Sequence, residues 1–547
     1  MVPRTHHRLG AAPVGWCELH SHSAFSLRDG VSTPDALARR AAALGYPALA
    51  LTDHDSLAGL VAHARACQAV GIRPIAGLEL TLDDESHLTL LAHDRIGYRS
   101  LCLLVSHAHL SGDRAEPRTP LAVVAAYSAG LACLTGCRRG RVASALLQGD
   151  DAGAEKSVGA LCAIFGAAHV WIEAQRSGLP DDGQLLHGLA RLAQRTGLPL
   201  AATGNTHYAH AGDRDLQDVM TCIRQRVPLD QARPFLRPGR AWSLPTADEM
   251  ARAFADLPDA LRGAATLADR CAFDLAHIDA ALPAFPVPAG HTAGSYLRRL
   301  VQDGATERYG SDAGTDHVRA RLSHELGVID VLGLADYFLI VWDIVRFARA
   351  EGILVQGRGS AVGSAVCYCL GITSVEPLAH HLLFARFLSP SRIDPPDIDL
   401  DLPSDRPGAG PGREAVIQYV LTRYAGHAAL VANTVTFRAR SAIRDVGLAL
   451  GLAPAQIDAL ARDPERPAAP DVGAAGGLGV GTDGAPAARP LRPPGGAAAP
   501  PVATPRRHGY HGTPARGGRA PRTPGHGGTA DRAVGQGRRR DGGPDQD

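Results

Sequence analysis

Residue types that bind metals recur in the first 210 residues, mostly at the ends of short apolar runs. The candidates are His20, His22, Asp29, His54, Glu79, His87, Cys137 and His207. Imidazole and carboxylate groups bind zinc, manganese and iron, and a cluster of such ions can activate water for attack on a phosphoester. A single histidine here is more often a core or surface residue. The prediction of a metal centre therefore depends on the recurrence of these residues at successive strand ends.

A second group of acidic residues lies in the segment PPDIDLDL, residues 395–402. Asp397, Asp399 and Asp401 alternate with apolar residues, so on a strand the three carboxylates share one face. Carboxylates this close together repel one another unless cations neutralise them. The pattern therefore predicts a two-metal site for phosphoryl transfer. The alternative interpretation is a solvated edge strand.

The segment GILVQGRGSAVGSAVCYCLGI, residues 352–372, predicts a strand, a turn rich in Gly and Ser, and a helix. Ser360 and Ser364, with the N–H groups at the helix start, could hold a phosphate. Arg358 adds a fixed positive fork for phosphate oxygens. The segment has neither the GK[ST] of a P-loop nor the GxGxxG of a dinucleotide site. A turn that only packs a helix against a strand is the alternative.

The elements that must position these residues are predicted by alternating strand and helix patterns from residue 16 to about 225. Seven apolar runs are candidate strands: WCELHSH, YPALALTDHD, IRPIAGLEL, HLTLLAHD, GLACLTGC, HVWIEAQ and LPLAATGNTHY. This alternation indicates an α/β fold with a parallel sheet, and the number of repeats favours closure into a barrel. In such a barrel the C-terminal strand ends meet at one face, where catalytic residues lie.

The composition narrows the class of protein. The chain has 547 residues and a formal net charge of +1, which argues against a protein that binds nucleic acid through bulk positive charge. No apolar run is long enough for a signal peptide or a spanning helix, so we expect no membrane association. Ten cysteines are scattered without a CxxC pair, which predicts the reducing cytoplasm.

The first region resembles the PHP (polymerase and histidinol phosphatase) domain through ELHSHSAFSLRDG, ALALTDHDSLAGL and RPIAGLEL. The resemblance implies a distorted (β/α)7 barrel that holds up to three metal ions, here Zn2+ or Mn2+. The family's ligand pattern falls on the eight residues given above. One position departs from the family, because its Asp-x-His motif reads Asn205-Thr206-His207. A neutral amide is a poorer ligand, so we expect one weak metal position.

The second region resembles the polymerase palm of bacterial C-family DNA polymerases, a nucleotidyltransferase-like fold. The motifs are QGRGSAVGSAVCYCLGIT, LLFARFLSPSR, PPDIDLDL and TFRARSAIRDVGLALG, and several look closer to the error-prone, translesion branch. The resemblance implies that Asp399 and Asp401 hold catalytic Mg2+, with Asp397 in support. It also implies that Arg358, Gly363 and Ser364 contact the incoming triphosphate. The implied partners are a DNA primer-template, dNTPs, and replisome or mutasome proteins.

These motifs predict four segments: a PHP domain at 16–280, a partial palm at 291–430, the start of a thumb at 431–463 and a disordered tail at 464–547. The tail has 19 Gly and 14 Pro among its 84 residues, a composition typical of disorder. We interpret it as the product of a frameshift or truncation, and we expect little or no polymerase activity from the chain. The rival interpretation is a genuine tail that binds nucleic acid through its arginines.

Two other functions stay open at this point. The barrel could be a metal-dependent phosphoesterase or 3′–5′ exonuclease, or it could be a non-catalytic scaffold for the palm. Resequencing the locus would test the frameshift, since a single-base change should restore a long polymerase-like frame.

Overall fold

The computed structural model describes residues 16–111, 116–239, 241–275, 283–389, 396–405, 410–431 and 434–462. The predicted tail at 464–547 lies outside the described residues, as does the end of the predicted PHP segment. Within the described ranges, no helix is both long enough and apolar enough to cross a membrane. All ten cysteines are described, and none forms a disulfide.

A curled six-stranded sheet forms the centre of the first region. Its strands, in spatial order, are β1 (Ala48–Leu51), β2 (Arg73–Thr81), β3 (His87–Ala92), β4 (Leu131–Leu134), β5 (Val170–Gln175) and β6 (Leu200–Thr203). Each corresponds to one of the predicted strands, and β1, β3, β4 and β5 are buried throughout. Strands covered on both faces have near-continuous apolar runs, which explains why the sequence predicted them well.

The remaining predicted strand, WCELHSH, lies between the two edges of this sheet. Ala50 N donates to Glu18 O on one side, and Thr206 N donates to His20 O on the other. Ser21 also forms an isolated parallel bridge with Thr206. The segment 18–22 therefore joins β1 to the chain just beyond β6 and closes the sheet on itself, as expected for a seven-stranded barrel.

The expectation of an all-parallel sheet is wrong at β3, which runs antiparallel to both β2 and β4. Only residues 82–86 connect β2 to β3, and a parallel connection needs a crossover of a dozen or more residues. The reversal has a direct effect on the site. It places His87, the first residue of β3, at the same rim as the last residues of β2.

In the described part of the first region, ten α-helices accompany this sheet. They are α1 (Pro34–Ala43), α2 (Leu60–Ala69), α3 (Arg95–Leu110), α4 (Leu121–Ala126), α5 (Arg141–Leu147), α6 (Asp151–Phe165), α7 (Asp182–Thr196), α8 (Arg214–Gln225), α9 (Ala247–Ala253) and α10 (Pro258–Arg270). Side-chain caps set several of the starts: Thr33 accepts from Ala36 N before α1, and Asp94 accepts from Gly97 N before α3. The apolar faces of these helices, apart from α8, share one core with the strands, from Trp16 to Cys271.

A second core lies between Phe285 and Leu388. Its elements are α11 (Ala293–Tyr309), α12 (Asp316–Val331), α13 (Ala335–Ala350), β7 (Gln356–Arg358), α14 (Ala365–Cys369) and β8 (Asp399–Asp401). β7 and β8 pair antiparallel, with Arg358 opposite Asp399. This arrangement brings the Gly-rich segment beside the Asp run, which the sequence had placed 40 residues apart.

Three further helices follow: α15 (Arg413–Arg423), α16 (Ala439–Ala449) and α17 (Pro454–Arg462). α15 packs on α13 through Val416, Ala348 and Ile353. Ala449 of α16 packs against Cys222 of α8, so the end of the described chain contacts the barrel. The predicted domain limits at 280, 430 and 463 stay predictions, although the two cores divide near the first of them.

Candidate metal centre and candidate nucleotide site

Glu79, near the end of β2, is the centre of the histidine cluster. Its Oε1 lies 3.3 Å from His20 Nε2 and 3.0 Å from His87 Nδ1. Its Oε2 lies 3.5 Å from His22 Nε2 and 2.8 Å from His54 Nδ1. The carboxylate is 1% exposed, so four imidazoles from three different parts of the chain surround one buried anion.

In His20, His22 and His207, the ring nitrogen that does not face the cluster is held by a group behind it. His20 Nδ1 lies 2.7 Å from Glu173 Oε1, and His22 Nδ1 lies 3.2 Å from Ser26 Oγ. His207 Nδ1 lies 2.8 Å from the carbonyl oxygen of Asn205, so it is the protonated nitrogen. Such contacts fix the ring orientation and leave Nε2 directed at the cluster, as metal-ligating histidines require.

The Asp29 carboxylate is, after that of Glu79, the second anionic group at the rim of the barrel. Its Oδ2 lies 3.1 Å from His54 Nε2 and 3.4 Å from His207 Nε2. Arg237 donates to both oxygens at 2.6 and 3.1 Å, and Arg224 lies 3.1 Å from Oδ1. Two arginines therefore neutralise the carboxylate in the absence of a metal ion.

The pKa values of the clustered histidines and carboxylates show that protons occupy positions where cations could bind. Burial alone would lower the pKa of His54, but the Glu79 and Asp29 carboxylates raise it to about 10. Burial would also lower the pKa of His20, but the Glu173 and Glu79 carboxylates raise it well above its usual value. Burial and Arg237 lower the pKa of His207 to about 4, so this ring is neutral. Burial opposes ionisation of Glu79, yet the surrounding histidines hold its pKa well below normal.

The residues present fit a divalent metal centre. Three groups of ligand atoms come together within 4.8 Å: His22, His54 and His207; His20, His22 and Glu79; and His54, Glu79 and His87. The buried Nε2 atoms of His20 and His22 and Oε1 of Glu79 make no hydrogen bond to any described residue. Buried polar atoms without partners are costly, and a cation shared among these groups would satisfy them.

Other predicted positions flank these groups. Cys137 Sγ lies 3.6 Å from His87 Nδ1, and burial beside Glu79 raises the pKa of the thiol well above its usual value. Asn205 has a left-handed backbone with φ of 50°, and its buried Oδ1 finds no partner among the described residues. The amide oxygen is thus directed at the site where the family pattern has a carboxylate.

Of the three polar residues that follow β1, only His54 faces the cluster. Asp53 accepts from Ser23 N at 2.7 Å and from Ser26 Oγ at 2.7 Å, so it shapes the turn that carries His22. Asp55 accepts from the backbone and hydroxyl of Thr81. Neither carboxylate is a ligand in this geometry.

Three residues of the centre were missed from the sequence. Glu173 is the one charged residue in the apolar strand VWIEAQ, and that isolation was a usable signal. Arg224 lies on α8 and Arg237 lies in an irregular segment after that helix, and no local signal relates either residue to Asp29. With Arg138 and Arg139 they line a cleft of about 640 Å³ that opens on His54, Glu79 and His207.

The candidate nucleotide site is the face where β7 and β8 meet. Arg358 Nε lies 3.1 Å from Asp401 Oδ1, and its Nη2 lies 3.6 Å from Asp399 Oδ2. Both carboxylates are about half exposed and share one face, as the alternation predicted. Asp397 is exposed and precedes the strand. A divalent cation could replace the guanidinium between the two aspartates, because both are cations and the metal ion brings the larger charge.

The Gly-rich segment forms a strand, a short 3-10 turn at Gly359–Gly363 and then α14. Ser364 is the N-cap of α14 and is fully buried. Its hydroxyl donates to Glu325 Oε2 at 2.8 Å, and Gly363 is buried beside it. Of the predicted triphosphate contacts, the structure therefore brings Arg358 to the aspartates and keeps Ser364 inside the core.

Comparison with known families gives two matches along the chain. Residues 18–177 match the PHP domain, and residues 295–472 match the bacterial DNA polymerase III alpha NTPase domain. Among solved structures, an amidohydrolase from Chromobacterium violaceum is 20% identical and covers 35% of this chain and 87% of its own. The TM-score of that match is 0.24.

Curated relatives match most of the chain. The error-prone DNA polymerases of Mycobacterium bovis and Mycobacterium tuberculosis are each 45% identical over 470 residues, which is 84% of this chain and 42% of the relative. The error-prone DNA polymerase of Symbiobacterium thermophilum is 40% identical over 467 residues, with 82% and 42% covered. The chain thus spans less than half of the length of these relatives. By its two domains and these matches, it belongs to the bacterial C-family DNA polymerases that carry an N-terminal PHP domain.

Proposed function

We propose that the chain is the N-terminal portion of an error-prone C-family DNA polymerase, whose reaction is attack of a primer 3′-hydroxyl on a deoxynucleoside triphosphate. The observation that carries this is the β7–β8 pair, which sets Asp399 and Asp401 on one face against Arg358. Two carboxylates of this kind would hold Mg2+, which neutralises charge on the reacting phosphate. The loop that contains Gly363 and Ser364 follows β7 directly and would receive the triphosphate.

In this role the two aspartates and Arg358 would have different tasks. Asp399 and Asp401 would orient the metal-bound triphosphate. Arg358 would then turn from the aspartates to the phosphate oxygens, because the cations replace its charge between them. The partners would be a primer-template, dNTPs, and replisome or mutasome proteins. Ten unpaired cysteines support a place in the reducing cytoplasm.

A Mn2+ titration of the full chain, followed by electron paramagnetic resonance with and without dNTP, tests the proposal. We expect dNTP to recruit one or two ions, and Asp399→Asn with Asp401→Asn to abolish that recruitment. Asp397→Asn is the matched control, since this aspartate lies in the same run but outside β8. Equal recruitment by the double variant and the wild type would refute the assignment.

A second activity is proposed for the barrel, namely metal-dependent hydrolysis of a phosphoester, as in a 3′–5′ exonuclease. The specific observation is that the cleft lined by His54, Glu79, His87 and His207 is also lined by four arginines. Zn2+ or Mn2+ would suit the imidazole and carboxylate donors and would supply an activated water. The arginines would bind the phosphate oxygens.

Metal analysis and nuclease assays separate this activity from a purely structural barrel. We expect metal to co-purify with the wild type, and His20→Ala with His22→Ala to lose both the metal and the hydrolysis of single-stranded DNA. Hydrolysis at equal rates by both proteins would exclude the site. Bound metal without any hydrolysis would favour the scaffold.

A further inference from the structure

The candidate ligand atoms of the metal centre are of two kinds, because some already have a hydrogen-bond partner and others do not. Four buried atoms make no hydrogen bond to any described residue: Nε2 of His20, Nε2 of His22, Oε1 of Glu79 and Oδ1 of Asn205. Two of the three groups of candidate ligands contain Glu79. Because a buried polar atom without a partner is costly, cations bound around Glu79 would satisfy atoms that nothing else satisfies.

The third group, His22, His54 and His207, differs because a guanidinium already contacts it. Nδ1 of His207 donates to the carbonyl oxygen of Asn205, so Nε2 of this ring is an acceptor. That acceptor lies 2.7 Å from Arg237 Nη2, which can only donate. The nitrogen that His207 would offer to a metal ion therefore holds an arginine N–H.

The same guanidinium pairs with Asp29, the carboxylate beside this group. Oδ2 of Asp29 lies 3.1 Å from His54 Nε2 and 3.4 Å from His207 Nε2, so the three side chains could share one cation. Arg237 donates to Oδ1 at 2.6 Å and to Oδ2 at 3.1 Å. With its bond to His207, the planar fork thus makes three hydrogen bonds to two of these three residues.

Trp242 packs Arg237 into this position. The guanidinium carbon lies 5.0 Å from the centroid of the Trp242 ring, a distance at which the ring face attracts a cation. The same ring packs edge-on against His207, and the Trp242 carbonyl oxygen accepts from His207 N at 2.8 Å. The Arg237 side chain is 19% exposed. The arginine is therefore part of the wall of the cleft.

We propose that Arg237 is a permanent cation of the centre, and that its guanidinium fills the position that Asp29, His54 and His207 would offer to a metal ion. The barrel then binds two metal ions, both at groups that contain Glu79. The inference rests on the metal-dependent activity proposed for the barrel.

The balance of charge favours the guanidinium over a third ion. Of the three residues at this position, Asp29 alone carries a carboxylate, and Arg224 Nη1 lies 3.1 Å from its Oδ1 as well. A divalent ion would have to displace Arg237 from one anion that two arginines already neutralise. A guanidinium supplies positive charge but does not activate water, so hydrolysis would depend on the groups around Glu79.

The number of Mn2+ ions bound per folded chain tests the proposal. It is measured by metal analysis after equilibrium dialysis of the full chain, with Asp399→Asn and Asp401→Asn present throughout so that only the barrel is counted. We expect two ions with Arg237 in place and three in Arg237→Met, which leaves Asp29 Oδ2 to a metal ion. Arg237→Lys keeps the charge and should keep the count at two. Arg233→Met, at an exposed residue of the same segment, is the matched control and should also bind two.

Asp29→Asn gives a second test that does not depend on gaining an ion. If Arg237 and not a metal ion pairs with Asp29, the amide should leave the count at two, whereas Glu79→Gln should lower it. Circular dichroism shows whether each variant is folded. Loss of one ion in folded Asp29→Asn would overturn the proposal.

The two possible failures are distinguishable by the same count. Three ions in the parent chain, or two in both the parent and Arg237→Met, would overturn the role of Arg237 and leave the proposed metal-dependent activity standing. No bound ion at saturating Mn2+ would refute that activity and this inference together.

Discussion

Three histidines of the cluster depend on a group that lies behind them. Glu173 holds the Nδ1 of His20, Ser26 holds that of His22, and a backbone carbonyl holds that of His207. The candidate ligands could be proposed from the sequence, because their types and their positions at strand ends are local features, and their role as ligands stays a prediction. Their supports could not be proposed in this way, because Glu173 and Arg237 are far from His20 and Asp29 along the chain and only the closed barrel brings them together.

Glu173→Gln is expected to weaken metal binding by about tenfold while the fold is kept. The neutral amide can still accept from His20 Nδ1, but the charge that raises the basicity of the ring is lost. Competition with a chromophoric chelator measures the affinity. Glu155→Gln, at an exposed pair with Arg195, is the control, and equal affinities in the two variants would contradict this role.

Metal binding should become tighter as the pH rises from about 6 to 8. The pKa of His54 is raised to about 10 and that of His20 lies well above normal, so both rings carry a proton in the metal-free protein at neutral pH. Because a metal binds only the neutral imidazole, each displaced proton adds up to about tenfold in affinity per pH unit. Calorimetry in buffers of different ionisation enthalpy should detect proton release, and His54→Gln should release less. Binding without proton release would refute the charge assignment.

At the scale of elements, the helix and strand patterns predicted the elements well and their directions less well. Six of the seven predicted strand runs became β1 to β6, and the seventh became the segment 18–22 that closes the barrel. The direction of β3 was wrong, because an apolar strand has the same pattern whichever way it runs. The pairing of β7 with β8 was also unpredictable, since nothing local relates segments 40 residues apart.

One buried carboxylate joins α13 to α15 and gives a prediction at this scale. Asp343 accepts from Tyr419 at 2.6 Å, from Tyr424 at 2.9 Å and from Arg346 at 2.8 Å. Asp343→Ala should lower the free energy of unfolding by about 3 kcal/mol, because two buried hydroxyls lose their acceptor. Urea denaturation measures the change. Asp303→Ala, at an exposed pair on α11, should cost less than about 0.5 kcal/mol, and a similar cost for both would contradict the argument.

At the scale of the molecule, two hydrophobic cores lie side by side in the chain, and each carries one candidate site. The order of the motifs predicts a division of this kind, and the exact domain limits stay predictions. The composition could not predict that α8 contacts both the metal centre and α16. Arg224 of α8 contacts Asp29 of the metal centre, and Cys222 on the same helix packs against α16. Such contacts form only when the barrel closes, and no local sequence pattern predicts them.

Separate cores should unfold in separate steps, and metal should stabilise only one of them. We expect two calorimetric transitions, of which Mn2+ or Zn2+ raises one by several degrees, because the stabilisation grows with the logarithm of the metal concentration over its dissociation constant. In His20→Ala with His22→Ala, the metal should move neither transition. A single transition, or an equal shift of both, would show that the cores unfold as one unit.

The closing segment of the barrel has a consequence for how the protein is made. Glu18 accepts a hydrogen bond from Gly204 N, 186 residues later in the chain, and His20 and His22 lie on the same segment. At about 5–20 residues per second, the ribosome needs roughly 10 to 40 s to make that length. During this time the segment can pair only with β1, and the nascent chain cannot bring His207 to the other histidines. The complete set of candidate ligands can therefore assemble only after the whole barrel has been synthesised.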